Sequence, residues 1–204
     1  MPPTPPLRMR PEPVPVAVLI SGGGSNLAAI LAAARARGCP YRVAVVVSNR
    51  PEAGGLAHAA AAGVPVEVVD HRPFAGDRAC HEREIEARLR AHGVELVVLA
   101  GYMRVLTPWL VERWAGRMLN IHPSLLPKYP GLDTHARAIA AGDAEAGCTV
   151  HVVTAGVDEG PVLDQARVPI LPEDTAETLA ARVLAAEHRL YPAALARVAA
   201  DLRT

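Results

Sequence analysis

Short apolar runs alternate with alanine-rich amphipathic stretches along the first 122 residues of the chain. Five of the apolar runs have the length and the β-branched content of buried strands: residues 14–20, 41–48, 64–69, 95–100 and 116–122. The stretches between them predict three helices, at about residues 26–37, 56–62 and 77–92. Successive units of strand and helix with these lengths predict a mostly parallel sheet with right-handed crossovers and helices on both faces.

The pattern changes after residue 122. A proline-rich loop precedes a short predicted helix at about residues 134–141, and two strand-like runs follow at 148–154 and 161–170. The turn sequence GVDEGP joins these two runs, which predicts a hairpin that closes the sheet. A long amphipathic helix at about residues 175–200 ends the pattern.

The predicted elements form a single domain. Half of the 204 residues are hydrophobic, which is enough to bury a core without disulfides or a structural metal. We expect one Rossmann-like α/β domain at residues 14–204, since no linker interrupts the pattern. Residues 1–13 are rich in proline and lack the apolar segment of a signal peptide, which predicts a disordered tail.

The composition favours small-molecule ligands. The chain has 21 basic and 21 acidic residues and no polybasic run, so nucleic acid and membrane surfaces are not expected partners. Its three cysteines are widely spaced, which is typical of reduced thiols in a cytoplasmic protein. Its eight histidines show no metal-ligand pairing with cysteines or carboxylates, so no metal is expected. A monomer and a homodimer are both compatible with the sequence.

A glycine-rich turn, SGGGSN, joins the first strand to the first helix. The backbone of Gly24 and the side chains of Ser25 and Asn26 could hold an anion at the start of that helix, although a tight turn with an ordinary helix cap explains the same residues equally well. Dinucleotide motifs fit poorly, because Leu27 stands where the last glycine is needed. There is no P-loop lysine either, so the turn favours a small phosphate monoester over a nucleotide.

Asn120 and His122 end the fifth predicted strand. Strand alternation puts them on the same side, where an amide and an imidazole can stabilise a developing oxyanion. Asp158, in the hairpin turn, could bond His122 if the turn folds back over the strands, and would then raise the imidazole pKa above about 6.5. A capping asparagine, a hydrogen-bonded loop histidine and an ordinary turn aspartate are the alternative interpretation.

Several segments taken together resemble one family. SGGGSNL, VVLAGYMRVL, RMLNIHPSLLPKYPGL, VDEGPVL and AEHRLYP are similar to the phosphoribosylglycinamide formyltransferases (GAR transformylases), which are folate-dependent formyltransferases. The similarity runs over nearly the whole chain, from about residue 14 to residue 202. It implies an enzyme of de novo purine biosynthesis that transfers the formyl group of 10-formyltetrahydrofolate to the amine of 5-phosphoribosylglycinamide.

The resemblance also implies roles for individual residues. The catalytic residues would be Asn120, His122 and Asp158, the first two stabilising the oxyanion and the third holding His122 in its charged form. The phosphate and glycinamide of the substrate would be bound by Gly24, Ser25, Asn26 and Glu187. The folate would be bound by Arg78, Met103, Arg104, Val105, Leu106, Asn120, Thr154, Ala155, Gly156, Val157 and Asp158.

Three other functions are weighed against this one. Formyltetrahydrofolate deformylases share both motifs but carry an N-terminal regulatory domain, whereas about 13 residues precede the first predicted strand here. Methionyl-tRNA formyltransferases share the catalytic residues but carry a C-terminal RNA-binding domain. A folate or phosphosugar binding module without chemistry would not need all three catalytic residues, so the sequence favours the transferase.

Overall fold

In the part of the chain that the computed structural model describes, residues 12–74 and 76–204, seven strands form one sheet with the order β3-β2-β1-β4-β5-β6-β7. Strands β1 to β5 are parallel, and β6 runs antiparallel between β5 and β7. The strands are β1 (Val14–Ile20), β2 (Tyr41–Ser48), β3 (Val66–Val68), β4 (Leu96–Leu99), β5 (Met118–His122), β6 (Glu145–Val152) and β7 (Val162–Pro169).

Helices cover both faces of this sheet. They are α1 (Ser25–Ala34), α2 (Gly55–Ala61), α3 (Arg78–Ala91), α4 (Pro108–Arg113), α5 (Thr134–Ala140) and α6 (Ala176–Asp201). One core contains apolar side chains of α1 and α6, and a second core contains those of α3 and α4. Strand β1 is completely buried because its side chains point alternately into the two cores, which explains its uninterrupted apolar sequence.

The predicted Rossmann-like fold class is confirmed, with corrections to individual elements. Strand β6 starts three residues earlier than predicted, at Glu145, and ends at Val152. Strand β3 is only three residues long, because the proline before it, Pro65, has no N–H to give to β2. The predicted disordered tail lies outside the described residues except for Glu12 and Pro13.

The loop between β6 and β7 starts beside the beginning of β5 and extends to the other end of that strand. Val153 donates its N–H to the carbonyl of Met118, at the start of β5, yet Asp158 lies beside His122 at the end of that strand. Four residues of strand separate these two levels, or about 13 Å. The loop therefore folds back along β5, as the predicted contact between Asp158 and His122 requires.

Candidate active site

His122 has hydrogen-bond acceptors on both sides of its buried ring. Its Nε2 lies 2.8 Å from the carbonyl oxygen of Tyr129, and its Nδ1 lies 3.2 Å from Oδ2 of Asp158. A neutral imidazole carries one proton and can donate to only one of these acceptors, whereas the imidazolium donates to both. The geometry therefore suits a positively charged His122 that donates from Nε2 to Tyr129 and from Nδ1 to Asp158.

Asp158 is held by the backbone as well as by histidine. Its Oδ2 accepts a hydrogen bond of 3.0 Å from the N–H of Gly131, and its own φ of 57° places it in the left-handed region, which aspartate adopts more readily than most residues. Burial alone would raise the pKa of the Asp158 carboxyl, but the contact with His151, the Gly131 N–H and the charge of His122 lower that pKa below its ordinary value. The carboxylate is thus kept ionised inside the site.

Asn120 and His122 lie on the same side of the sheet. Leu119 and Ile121, which alternate with them along β5, pack on the other side, in the core that contains α1 and α6. The side-chain nitrogen of Asn120 lies 3.2 Å from Nε2 of His151, the residue directly opposite on β6. This is the only hydrogen-bonding contact of that nitrogen among the described residues, so the amide keeps a hydrogen that it can donate to a ligand.

His151 is a member of the site that the sequence analysis missed. Its Nδ1 lies 3.1 Å from the carbonyl oxygen of Val152, and its Nε2 faces the side-chain nitrogen of Asn120. The same Nε2 lies 3.5 Å from Oδ1 of Asp158. The sequence signal is in CTVHVVT, where Thr149 and His151 alternate with apolar residues and so form a polar face inside the strand.

A further histidine, His135 at the start of α5, is brought close to this group. Burial, and then the neighbouring charge of His122, lowers the pKa of His135. Its Nδ1 is buried and has no hydrogen-bond partner among the described residues. The cluster of side chains in mutual contact therefore consists of Asn120, His122, His151 and Asp158. His135 lies next to it, and no hydrogen bond joins the two among the described residues.

The glycine-rich turn enters α1 through Gly24, whose φ is 75°. Neither Ser25 nor Asn26 caps this helix, because Gly24 occupies the N-cap position and no side chain makes the capping bond, so the alternative of an ordinary helix cap does not hold. The turn packs tightly against α2, where the N–H of Gly55 donates to the carbonyl of Gly22. A Cβ on Gly24 would lie 2.5 Å from the Cα of Gly55, so the close approach requires glycine.

Asn26 and Glu187 are brought together from opposite ends of the sequence. The side-chain nitrogen of Asn26 donates to Glu187 at 2.7 Å, and both residues are buried. Burial raises the pKa of the Glu187 carboxyl, and the bond from Asn26 offsets part of that rise. Four residues further along α6, the hydroxyl of Tyr191 donates to carbonyl oxygens of β4 and β5, which fixes the position of Glu187 over the sheet.

The predicted folate-binding residues after β4 form an irregular segment, residues 102–106, which we call the strap. Tyr102 and Leu106 pack on the second core, whereas Met103 and Val105 point outward and are 67% and 59% exposed. Arg78, at the start of α3, reaches the carbonyl of Val105 at 3.4 Å. In the described part of the chain, no hydrogen bond uses the backbone N–H of residues 104, 105 or 106.

The other predicted folate-binding segment is the turn that precedes and includes Asp158. Val153, just before it, packs on the same core as Tyr102 and Leu106 of the strap. Thr154, Ala155 and Val157 are exposed, and Val157 is 52% exposed. The strap and this turn therefore present apolar side chains on the same side of the sheet as Asn120 and His122.

Residues 12–74 and 76–204 contain no group of three or more histidine, cysteine or acidic side chains placed to hold a metal ion. None of the helices described there combines the length and the hydropathy that crossing a bilayer would require.

Comparison with known proteins places the chain in a family. The formyl transferase family matches residues 14–195. A phosphoribosylglycinamide formyltransferase of Haemophilus influenzae is 47% identical over 177 residues, which are 87% of this chain and 83% of that protein. A trifunctional purine biosynthetic protein, adenosine-3, of Drosophila melanogaster is 50% identical over 89% of this chain, but the chain spans only 14% of its length.

Solved structures agree with this placement. The phosphoribosylglycinamide formyltransferase of Brucella melitensis is 53% identical with a TM-score of 0.89, covering 93% of this chain and 97% of that one. Glycinamide ribonucleotide transformylase 1 of Symbiobacterium toebii is 47% identical with a TM-score of 0.91, covering 96% of this chain and 92% of that one. The chain therefore belongs to the formyl transferase family and, within it, to the phosphoribosylglycinamide formyltransferases.

Proposed function

We propose that this chain transfers the formyl group of 10-formyltetrahydrofolate to the amine of 5-phosphoribosylglycinamide by direct attack of that amine on the formyl carbon. The observation that carries the mechanism is the cluster at the end of β5, in which a buried imidazole with acceptors on both nitrogens stands beside an amide with a free hydrogen. Family membership supports the choice of a formyl group as the group transferred.

Asn120 and His122 donate hydrogen bonds to the formyl oxygen as negative charge develops on it. Fixed donors that point at such an oxyanion from a buried site are effective because they need no reorganisation during the reaction. Since Nε2 is occupied by the Tyr129 carbonyl, the His122 donor is the Nδ1 N–H, which the formyl oxygen would share with Asp158. His151 orients the Asn120 amide, and the ionised Asp158 stabilises the imidazolium.

The protons balance without a nucleophile from the protein. The substrate amine loses one proton as its nitrogen bonds to the formyl carbon, and N10 of the departing tetrahydrofolate gains one as its bond to that carbon breaks. We expect Asp158 and His122, whose side chains lie 3.2 Å apart, to relay this proton. The chain therefore needs positioned polar groups and forms no covalent bond of its own to the formyl group.

The remaining predicted residues supply two binding regions. The Gly24–Asn26 turn and Glu187 are the proposed region for the phosphosugar, since backbone N–H groups at a helix start suit a phosphate. The strap, Arg78 and the turn before Asp158 are the proposed region for the folate. Free backbone groups next to exposed apolar side chains suit a flat heterocycle, and a guanidinium suits a carboxylate of the folate tail.

A turnover assay tests this function. The purified chain is mixed with 10-formyltetrahydrofolate, with and without 5-phosphoribosylglycinamide, and loss of the formyl donor is followed by absorbance. Loss of the donor only when the amine is present is the expected result. Loss without the amine would identify a hydrolase, and no loss despite binding of both compounds would identify a binding module.

Replacement of Gly55 by alanine is expected to raise KM for 5-phosphoribosylglycinamide about tenfold, because small displacements of a binding loop are costly. A Cβ on Gly55 would lie 2.7 Å from the side chain of Ile20 and 3.1 Å from the Cα of Gly24, so the turn must move. Gly54→Ala is the matched control, since its Cβ would lie 3.6 Å from its nearest neighbour, the Cα of Gly23. Equal KM values for the two variants would contradict the prediction.

Turnover is expected to be unchanged after dialysis against a chelator, because the proposed oxyanion donors are an amide and an imidazolium. The rate is measured before dialysis, after dialysis, and after addition of Zn²⁺ or Mg²⁺. A rate that disappears with the chelator and returns with one of these ions would overturn the proposed mechanism.

A further inference from the structure

The strap is held in place by side chains from distant elements. In the described part of the chain, no hydrogen bond between backbone groups involves residues 102–106. At one end, the N–H of Met103 donates to the hydroxyl of Ser21, 82 residues earlier, at 2.9 Å. At the other end, the N–H of Thr107 donates to the carboxylate of Glu82 at 2.8 Å.

Glu82 makes a second bond that explains an unusual helix start. Thr107 precedes Pro108 and occupies the N-cap position of α4, where a threonine hydroxyl normally accepts a bond from the first turn. Here no side chain makes the capping bond, and the Thr107 hydroxyl donates to the other carboxylate oxygen of Glu82 instead. Both oxygens of Glu82 are therefore used by this one residue.

The burial of Glu82 makes this anchor rigid. The side chain is 2% exposed on the inner side of α3, which begins four residues earlier with Arg78, the residue that reaches Val105. A buried carboxylate keeps its hydrogen-bond donors, because losing them would leave charge unsolvated. The end of the strap that carries Val105 and Leu106 is thus tied to the same helix that presents Arg78.

We propose that Glu82 and Thr107 are positioning residues that set where the strap lies, and thereby the affinity for the folate donor. This inference rests on the proposed function, in which the strap binds that donor. The two residues touch neither substrate themselves. They act on the exposed side chains and free backbone N–H groups between Met103 and Leu106, whose location depends on where the strap ends.

Thr107→Val is the variant that isolates this effect. Valine has the shape of threonine and suits the extended backbone at this position, and no helix cap is lost because the hydroxyl does not cap α4. We expect KM for 10-formyltetrahydrofolate to rise about tenfold, as hydrogen bonds to charged groups are among the stronger ones. The values of kcat and of KM for 5-phosphoribosylglycinamide should stay within about twofold.

Two further variants serve as controls for the effect of Thr107→Val. Thr107→Ser keeps the hydroxyl and should restore a KM near that of the unmodified chain. Glu82→Gln can still accept from the Thr107 N–H and donate to its hydroxyl, so its effect on KM should be smaller than that of Thr107→Val. A merely structural role would lower Tm and the amount of active protein and leave the folate KM unchanged.

The outcomes separate this inference from the function on which it rests. If the unmodified chain shows no formyl transfer, the proposed function fails. If it shows transfer and Thr107→Val has an unchanged folate KM, or raises both KM values equally, the positioning role is wrong and the function stands. A rise confined to the folate KM, reversed by serine, supports the role.

Discussion

Replacement of Asp158 by asparagine is expected to lower kcat about a thousandfold while the protein stays folded. A loss of this size is within the range measured for groups that assist proton transfer. An asparagine whose oxygen takes the place of Oδ2 can still accept from Gly131 and His122, and its nitrogen can face His151. The main change is the loss of the negative charge that stabilises the imidazolium. Asparagine also tolerates the left-handed backbone found at this position.

The measurement is kcat at saturating concentrations of both substrates, together with a thermal melt to show that the variant folds. Glu159→Gln is the matched control, since it removes a neighbouring carboxylate that is exposed. The control should keep kcat within about twofold. A kcat for Asp158→Asn above a tenth of the original would show that the charge on this residue is not needed.

His122→Ala is expected to lower kcat by about 10²–10³-fold, the usual cost of removing one donor to an oxyanion. The variant loses the ring that donates to the Tyr129 carbonyl and faces Asp158, while Asn120 and His151 keep their mutual contact. Both KM values should change only a few-fold, because the lost interaction acts mainly in the transition state.

His92→Ala is the control for this variant. His92 is the C-cap residue of α3, and its ring faces Glu67 of β3 at 3.1 Å, at an edge of the sheet that three strands separate from β5. Its removal should leave kcat unchanged. A large rise in either KM for His122→Ala with normal kcat would mean that the histidine binds substrate without helping the reaction.

The fold class could be read from the sequence because parallel strands buried on two faces must be apolar at nearly every position. That requirement produces continuous runs such as β1, which are easy to recognise. The length of the edge strand β3 was overestimated because the apolar run at residues 64–69 extends beyond the residues that pair with β2, and Pro65 within it has no N–H to donate. The direction of β6 relative to β5 depends on pairing between strands, and the predicted hairpin alone did not determine it.

The candidate site was only partly accessible from the sequence. Asn120, His122 and Asp158 stood out as candidates because two end a strand and one lies in a turn, but their catalytic roles came from the family resemblance. His151 lies inside a strand, and its role depends on a register that places it opposite Asn120. Local patterns do not reveal such cross-strand partners.

By itself, the sequence determined the order of strands and helices, the polar segments at strand ends and the family resemblance, because these depend on local patterns. Only the tertiary structure decided the contacts between residues far apart in the chain. It joined Asn26 to Glu187 and Thr107 to Glu82, and it turned the loop of Asp158 back along β5. These contacts depend on how the elements pack, since a hydrogen bond forms only when folding brings its two partners within about 3 Å.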